Sequence, residues 1–342
     1  MECWGVVSAP QNSTTPSLHH SIVLNLSIST VWNAWRHRTA EALVEELAGL
    51  GFSSLELSFG MPEKMVNGIA ELVRAGRVSV SSLHNYCPAP ILPEGMQLSH
   101  SSLPLSNSDE RLRRWAVRQT IRTIETAAVL NARAVVLHLG RVEIRPVSPR
   151  LVAMLENNQA DTVRFRKLAG KLRKRREKEK RHYLEQSLRS LEELTGPAAE
   201  LGVKLGIENR YYPEEIPSLE EIGEFIRAAD SEAVGFWYDL GHAAVKGNLG
   251  WEEPGEYLKR YEKHLVGLHI HDVIRTRDHK APLAGDLDYG FLGELMERNL
   301  VRVLEVHPSA TAEEIRAGAD YLERIARRSR KGGPGGQSRE PA

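Results

Sequence analysis

The chain holds only two cysteines, Cys3 and Cys87, in 342 residues. Two thiols can build neither a disulfide framework nor a thiolate zinc site. That scarcity fits a reducing compartment, so a cytoplasmic location is expected. No apolar run approaches the ~20 residues that span a bilayer, so no membrane partner is expected. Nor is there an excess of either charge: 45 Lys and Arg face 45 Asp and Glu, a formal net charge of zero. Dedicated nucleic-acid binders show a basic footprint, which this balance lacks. The first twenty residues, MECWGVVSAPQNSTTPSLHH, have no basic-then-apolar layout, so a secretory signal is not expected. A P-loop, a GxGxxG turn and a Gly-x-Ser-x-Gly elbow are all missing, which removes the usual nucleotide and acyl-transfer fingerprints.

What is present is the composition of a globular chain, 41% hydrophobic and 26% charged, with a core large enough to need no covalent staples. Residues 1–20, rich in Ser, Thr and Pro, read as a flexible arm, and residues 329–342 read as a disordered tail. Between them, over 21–328, short apolar runs alternate with amphipathic ones. The apolar runs, read as strands, are 22–28, 53–57, 78–84, 134–138, 203–208, 234–239, 265–269 and 301–305. Runs apolar on both faces suit a parallel sheet.

Helical spacing recurs at 39–50, 109–130, 218–229 and 311–326, with only 254–263 between the sixth and seventh strands. Thr39 is a candidate N-cap. Ser218 with Glu221, and Thr311 with Glu314, have capping-box spacing. Eight strands alternating with helices predict an α/β fold, a (β/α)8 TIM barrel. A long helical insertion, about 146–201, follows strand four. It contains a charge run at 164–181 with eleven Lys/Arg against two Glu. The run reads either as part of a solvated helix pair or as a contact surface for phosphate, nucleic acid or a partner subunit.

In a barrel of this kind the chemistry collects at the C-terminal ends of the strands. Strand two carries Glu56 and strand three ends in His84-Asn85. Strand four ends in His138 and strand five in Glu208-Asn209. Strand six ends in Asp239 with His242 following, strand seven in His269 with His271 and Asp272, and strand eight in Glu305 with His307. One such histidine is ordinarily a hydrogen-bonded structural residue. Seven convergent polar ends are costly to bury unless they are paired or bind a cation. Carboxylate with imidazole suits Zn, Mn, Co or Fe rather than Ca. Of His269 and His271, two apart, His269 is the preferred ligand.

These ends, Ser-Leu-His84, Val-Leu-His138-Leu-Gly, Ile-Glu208-Asn209, Tyr-Asp239-Leu-Gly-His242, Leu-His269-Ile-His-Asp272 and Leu-Glu305, resemble the xylose isomerase-like TIM barrel superfamily over about residues 22–327. That group includes sugar-phosphate isomerases and epimerases and the endonuclease IV type of apurinic-site nuclease (AP endonuclease family 2). The resemblance implies one divalent metal (Mn, Co, Mg or Zn) on Glu208, Asp239, His269 and Glu305. It further implies that Glu208 and Glu305 exchange a substrate proton through an enediolate, that His242 and Arg275 contact substrate oxygens, and that His84 and His138 help orient the substrate. The expected function is a metal-dependent isomerase or epimerase of a sugar, sugar phosphate or polyol, and homo-oligomers are common in that branch.

The runner-up is a zinc-dependent phosphodiesterase of endonuclease IV type acting on abasic DNA. It uses two or three Zn, with His84, His138, His242 and His279 as additional ligands. An aspartate is then expected two residues before His279, where Arg277 stands and Asp278 is displaced by one. A lyase or dehydratase is a third reading, because the same proton abstraction can start an elimination. The segment 87–105 is a candidate lid, and Gly285 a candidate point of close approach to a ligand. Trp32 and Trp35 are candidates for stacking on a sugar or for packing under the barrel mouth.

Overall fold

The computed structural model describes residues 26–92 and 104–331. Eight parallel strands close into one barrel. They are β1 (Leu26–Ser29), β2 (Ser54–Leu57), β3 (Ser79–His84), β4 (Ala134–Leu137), β5 (Lys204–Glu208), β6 (Val234–Asp239), β7 (Leu265–Ile270) and β8 (Val301–Leu304). Each pairs with its neighbour in sequence and β8 closes on β1, giving the (β/α)8 barrel read from the sequence. Of the first expected strand, residues 22–25 lie outside the described residues, as do the arm at 1–20, the centre of the candidate lid (93–103) and the tail from 332 onward.

The helices form where local chemistry favours them. In α1 (Ala40–Gly49), Ala40, Leu43, Val44 and Leu47 make one buried stripe, and Thr39 Oγ1 accepts from the Ala42 N–H. Next come α2 (Glu63–Arg74) and α3 (Glu110–Val129), the latter capped by Asp109. The insertion after β4 is a short helix, α4 (Ser148–Glu156), followed by α5 (Val163–Glu200), 38 residues long. The long helix is not uniformly solvated. The second half of α5 is the barrel's own fourth outer helix, burying Leu184, Leu191, Leu194 and Ala198. The first half carries the charge run beyond the barrel wall. Helix α6 (Leu219–Ala229) opens with the expected capping box of Ser218 and Glu221.

Two helices, not one, connect β6 to β7: α7 (Leu240–Asn248) and α8 (Pro254–Tyr261). The first is buried from Leu240 through Lys246, so it shows no amphipathic stripe to read. After α9 (Leu292–Leu295), helix α10 (Ala312–Lys331) ends the described chain and runs three residues into the expected tail. No helix among the described residues is long and apolar enough to cross a membrane.

The barrel interior is plugged by Trp237 with Ala134, Val136, Val301 and Val303. Glycine makes room for the indole: a Cβ on Gly206 or Gly267, on the flanking strands, would lie 2.8 or 2.4 Å from its ring. This layer is the floor on which the polar strand ends stand, and His269 meets Trp237 edge-on with centroids 5.0 Å apart.

Candidate metal centre and active-site cleft

Strand register brings the key residues level. Asp239 pairs with His269 across β6 and β7, and His269 pairs with Val303 of β8, two residues before Glu305. His269 is fully buried and lies among carboxylates. Its Nδ1 is 2.8 Å from Glu208, 3.0 Å from Glu305 and 3.5 Å from Asp239. Ligand atoms of Glu208, Asp239, His269 and Glu305 all lie within 4.8 Å of one another. Burial pushes the His269 pKa down, but Glu305 and Glu56 outweigh it and hold it well above the ordinary histidine value. Burial pushes Glu208 and Asp239 up, and the neighbouring His138 and Arg210, and His242 and His271, pull them well below the carboxylate range. Glu305 is lowered likewise, His269 outweighing burial. The quartet is therefore a set of anions around one imidazole. A divalent cation is the group that such a buried donor set fits.

Orienting contacts surround this set. Glu56, fully buried, faces His269 Nε2 at 3.1 Å and accepts from Ser82 Oγ at 2.9 Å. Its place behind His269 fixes the ring with Nδ1 toward Glu208, Asp239 and Glu305, as a carboxylate behind a metal-binding histidine would. His271 accepts the His279 backbone N–H on Nδ1 at 2.9 Å, so its Nε2 donates to Asp239 at 3.0 Å. His271 thus orients Asp239 while His269 faces the quartet. Asp239 also accepts the His242 N–H at 2.6 Å and starts α7. The Asp of the His-x-x-Asp motif, Asp272, accepts backbone N–H groups from Val273, Leu283, Gly285 and Leu287 at 2.8–3.0 Å, which ties down the loop after strand seven. A Cβ on Gly285 would fall 2.4 Å from Asp272 Oδ1. The close approach seen at Gly285 is to Asp272.

Three further donor groups adjoin the quartet: His84–His138–Glu208, His242–Asp278–His279, and Asp239–His271–His279–Glu305, which shares two of its residues. In the first, His138 Nε2 and Glu208 Oε2 stand 2.7 Å apart, and one nitrogen of the Arg210 guanidinium donates to both. Burial and Arg210 lower the His138 pKa, against the upward pull of Glu208. Arg210 also reaches Glu215 at 3.1 Å. The sequence showed no sign of this cation, two residues beyond Glu208. In the second group, His242 Nδ1 donates to Asn209 O at 3.0 Å, leaving Nε2 toward Asp278 at 3.7 Å. Asp278 pairs with His279 at 3.0 Å. The His279 ion pair and His242 overcome burial and hold the Asp278 carboxyl down at about 2. The one-residue displacement of Asp278 does not keep it from this group.

These residues line a cleft of about 520 Å³ at the barrel mouth, walled by Phe59, Tyr211 and Tyr212. Arg275 is not among them. It donates to Glu156 O at 2.8 Å and Asn158 Oδ1 at 2.6 Å and lines a separate groove with Leu287 and Phe291. Helix α4 captures it, a contact that sequence spacing does not reveal. Trp32 is buried beneath the mouth and donates to Ala310 O at 2.9 Å, while Trp35 is exposed.

The xylose isomerase-like TIM barrel family model matches residues 44–325. A curated relative, the uncharacterized protein MJ1311 of Methanocaldococcus jannaschii, is 24% identical over 174 residues, which cover 50% of this chain and 47% of that protein. The chain thus spans about half the length of that relative. Among solved structures, a D-tagatose 3-epimerase-like protein is 18% identical with a TM-score of 0.63, covering 90% of this chain and 98% of its own. An L-ribulose 3-epimerase is 14% identical with a TM-score of 0.64, covering 92% and 99%. At these identities the structures establish a shared fold. With the family model spanning most of the barrel, this chain belongs to the xylose isomerase-like TIM barrel family.

Proposed function

We propose that this protein is a divalent-metal-dependent isomerase or epimerase acting on a sugar or related polyol. The reading rests chiefly on the convergence of Glu208, Asp239, His269 and Glu305 within 4.8 Å at the cleft floor. These four residues hold the metal, which when bound polarises a substrate carbonyl and stabilises the negative charge of the enediolate. Glu208, kept ionised by His138 and Arg210, takes the proton from the carbon beside the carbonyl. On the opposite face Glu305, after taking a proton from solvent, returns it to that carbon, and Glu208 releases to solvent the proton it took. His242, with Nδ1 tied to Asn209 O, offers Nε2 to substrate oxygens. His84 and His138 line the same cleft and orient the substrate, and Arg210 rather than Arg275 supplies the guanidinium beside Glu208.

The three adjoining donor groups favour a second reading, phosphodiester hydrolysis with two or three zinc ions. Arg210 weighs against it, because a fixed cation already lies between His138 and Glu208, where a second metal belongs. The test is solvent deuterium exchange with a panel of ketoses and aldoses. Incorporation beside the carbonyl, lost in Glu208→Gln and Glu305→Gln, is expected. If both variants keep full exchange and full metal content, the reading fails. Elimination products in place of isomers would move the assignment to a lyase.

A further inference from the structure

We infer that the substrate of this cleft carries a fixed anion, a phosphate or carboxylate, that Arg141 receives. The inference deepens the isomerase reading, since it takes the cleft as the substrate site. The starting point is a difference between the cleft's two arginines. Arg210 is neutralised by Glu208 and Glu215. Arg141 lines the same cleft, forms no ion pair among the described residues, and has a buried Nε with no hydrogen-bond partner. A buried guanidinium nitrogen left without an acceptor is costly. The geometry that satisfies a guanidinium best is a planar or tetrahedral oxyanion taking two N–H groups at once.

The backbone under Arg141 is held rigidly. The strand pair Gly140–Arg141 and Glu215–Ile216 crosses the mouth, antiparallel. Ser106 Oγ, fully buried, accepts the Arg141 N–H and donates to the Arg141 carbonyl, both at 3.0 Å. Gly140 has φ of +128°, and a Cβ there would sit 2.1 Å from Ser106 Oγ, so this seat accepts glycine alone. A guanidinium that rises from backbone held this firmly, lines the cleft and has no acceptor for its Nε among the described residues is a receptor for part of the ligand. Tyr212, partly exposed beside it, closes the aromatic wall over the substrate's carbon chain.

The test compares unreactive ligands that differ in one group: xylitol, xylitol 5-phosphate and xylonate. Each is titrated calorimetrically into the metal-bound protein and into Arg141→Met and Arg141→Lys. In the wild type the preferred anion is expected to add about 10- to 100-fold in affinity over xylitol. Phosphate and carboxylate are distinguished by which of the two gains. Arg141→Met erases the increment and leaves xylitol affinity within about threefold, whereas Arg141→Lys keeps part of it. Thermal unfolding verifies that the variants are folded, and Arg141→Gln replaces Arg141→Met if the latter is not. The inference is overturned if no polyol binds, if the anion gains nothing, or if the gain survives in the neutral variant. A protein with the Arg141-dependent preference but no deuterium exchange keeps this inference and loses the isomerase reading. One that exchanges deuterium into neutral sugars with no anion preference does the reverse.

Discussion

Two regions of this molecule are dense in ionisable groups, and they handle charge in opposite ways. At the strand ends Glu56, Glu208, Asp239 and Glu305 are buried around His269. On the first half of α5, Lys167, Lys171, Lys174, Arg175 and Lys178 are exposed, and none has an ion-pair partner among the described residues. Water solvates the helix charges at small cost, whereas the strand-end charges need a counter-ion. The exception on α5 proves the rule: Arg176 is buried and forks onto Glu221 at 2.7 and 2.8 Å, pinning the insertion to α6. Burial, not charge density along the chain, separates a functional cluster from a solvated face.

That contrast can be broken or sharpened by substitution. The largest effects belong to the cleft: Glu208→Gln and Glu305→Gln should each lower kcat about 10²- to 10⁴-fold with the fold intact, read from steady-state kinetics and circular dichroism. Next is the buried pair on the insertion. Arg176→Met leaves the buried Glu221 charge facing only Lys180, at 3.7 Å, and should cost about 3 kcal/mol in denaturant unfolding, with much of it recovered in Arg176→Met/Glu221→Leu.

The same pair sets an acid dependence. Burial pushes the Glu221 carboxyl up, but Arg176 holds it below its ordinary range. Its contribution to stability is thus present above about pH 4.3, the unfolded-chain value, and is lost as pH falls below that. The double variant should show a shallower acid slope in unfolding experiments.

A smaller effect is expected behind the quartet: Glu56→Gln should weaken metal affinity about 10- to 100-fold, measured by competition with a chelating dye. Smallest are Lys171→Ala, Lys174→Ala and Lys178→Ala, each within about 0.5 kcal/mol in unfolding free energy. A large loss in any of them would erase the distinction between the two regions.

Much of this was legible in the sequence because it is local. Apolar runs mark strands, and caps such as Thr39 and Ser218 mark helix starts. In this fold the C-terminal strand ends gather at the mouth, so polar residues there are candidates to converge, as Glu208, Asp239, His269 and Glu305 do. What escaped depends on tertiary contacts. Arg210 sits on a loop whose path follows its pairing with Glu208 and Glu215. Arg275 has the family spacing, yet α4 of the insertion holds its guanidinium outside the cleft. The orienting roles of Glu56 and His271 depend on which ring nitrogen faces which carboxylate. Helix α7 was hidden because it is buried along nearly its whole length, which removes the periodicity that betrays a surface helix.

One divalent ion is expected to occupy the quartet while Arg210 takes the neighbouring position. Elemental analysis of protein purified without added metal or chelator tests it most directly, with Asp239→Asn and Arg210→Met alongside. About one Mn, Co, Mg or Zn per chain is expected, lost in Asp239→Asn. Two or three zinc ions per chain in the unaltered protein would contradict it and turn the assignment to phosphodiester hydrolysis.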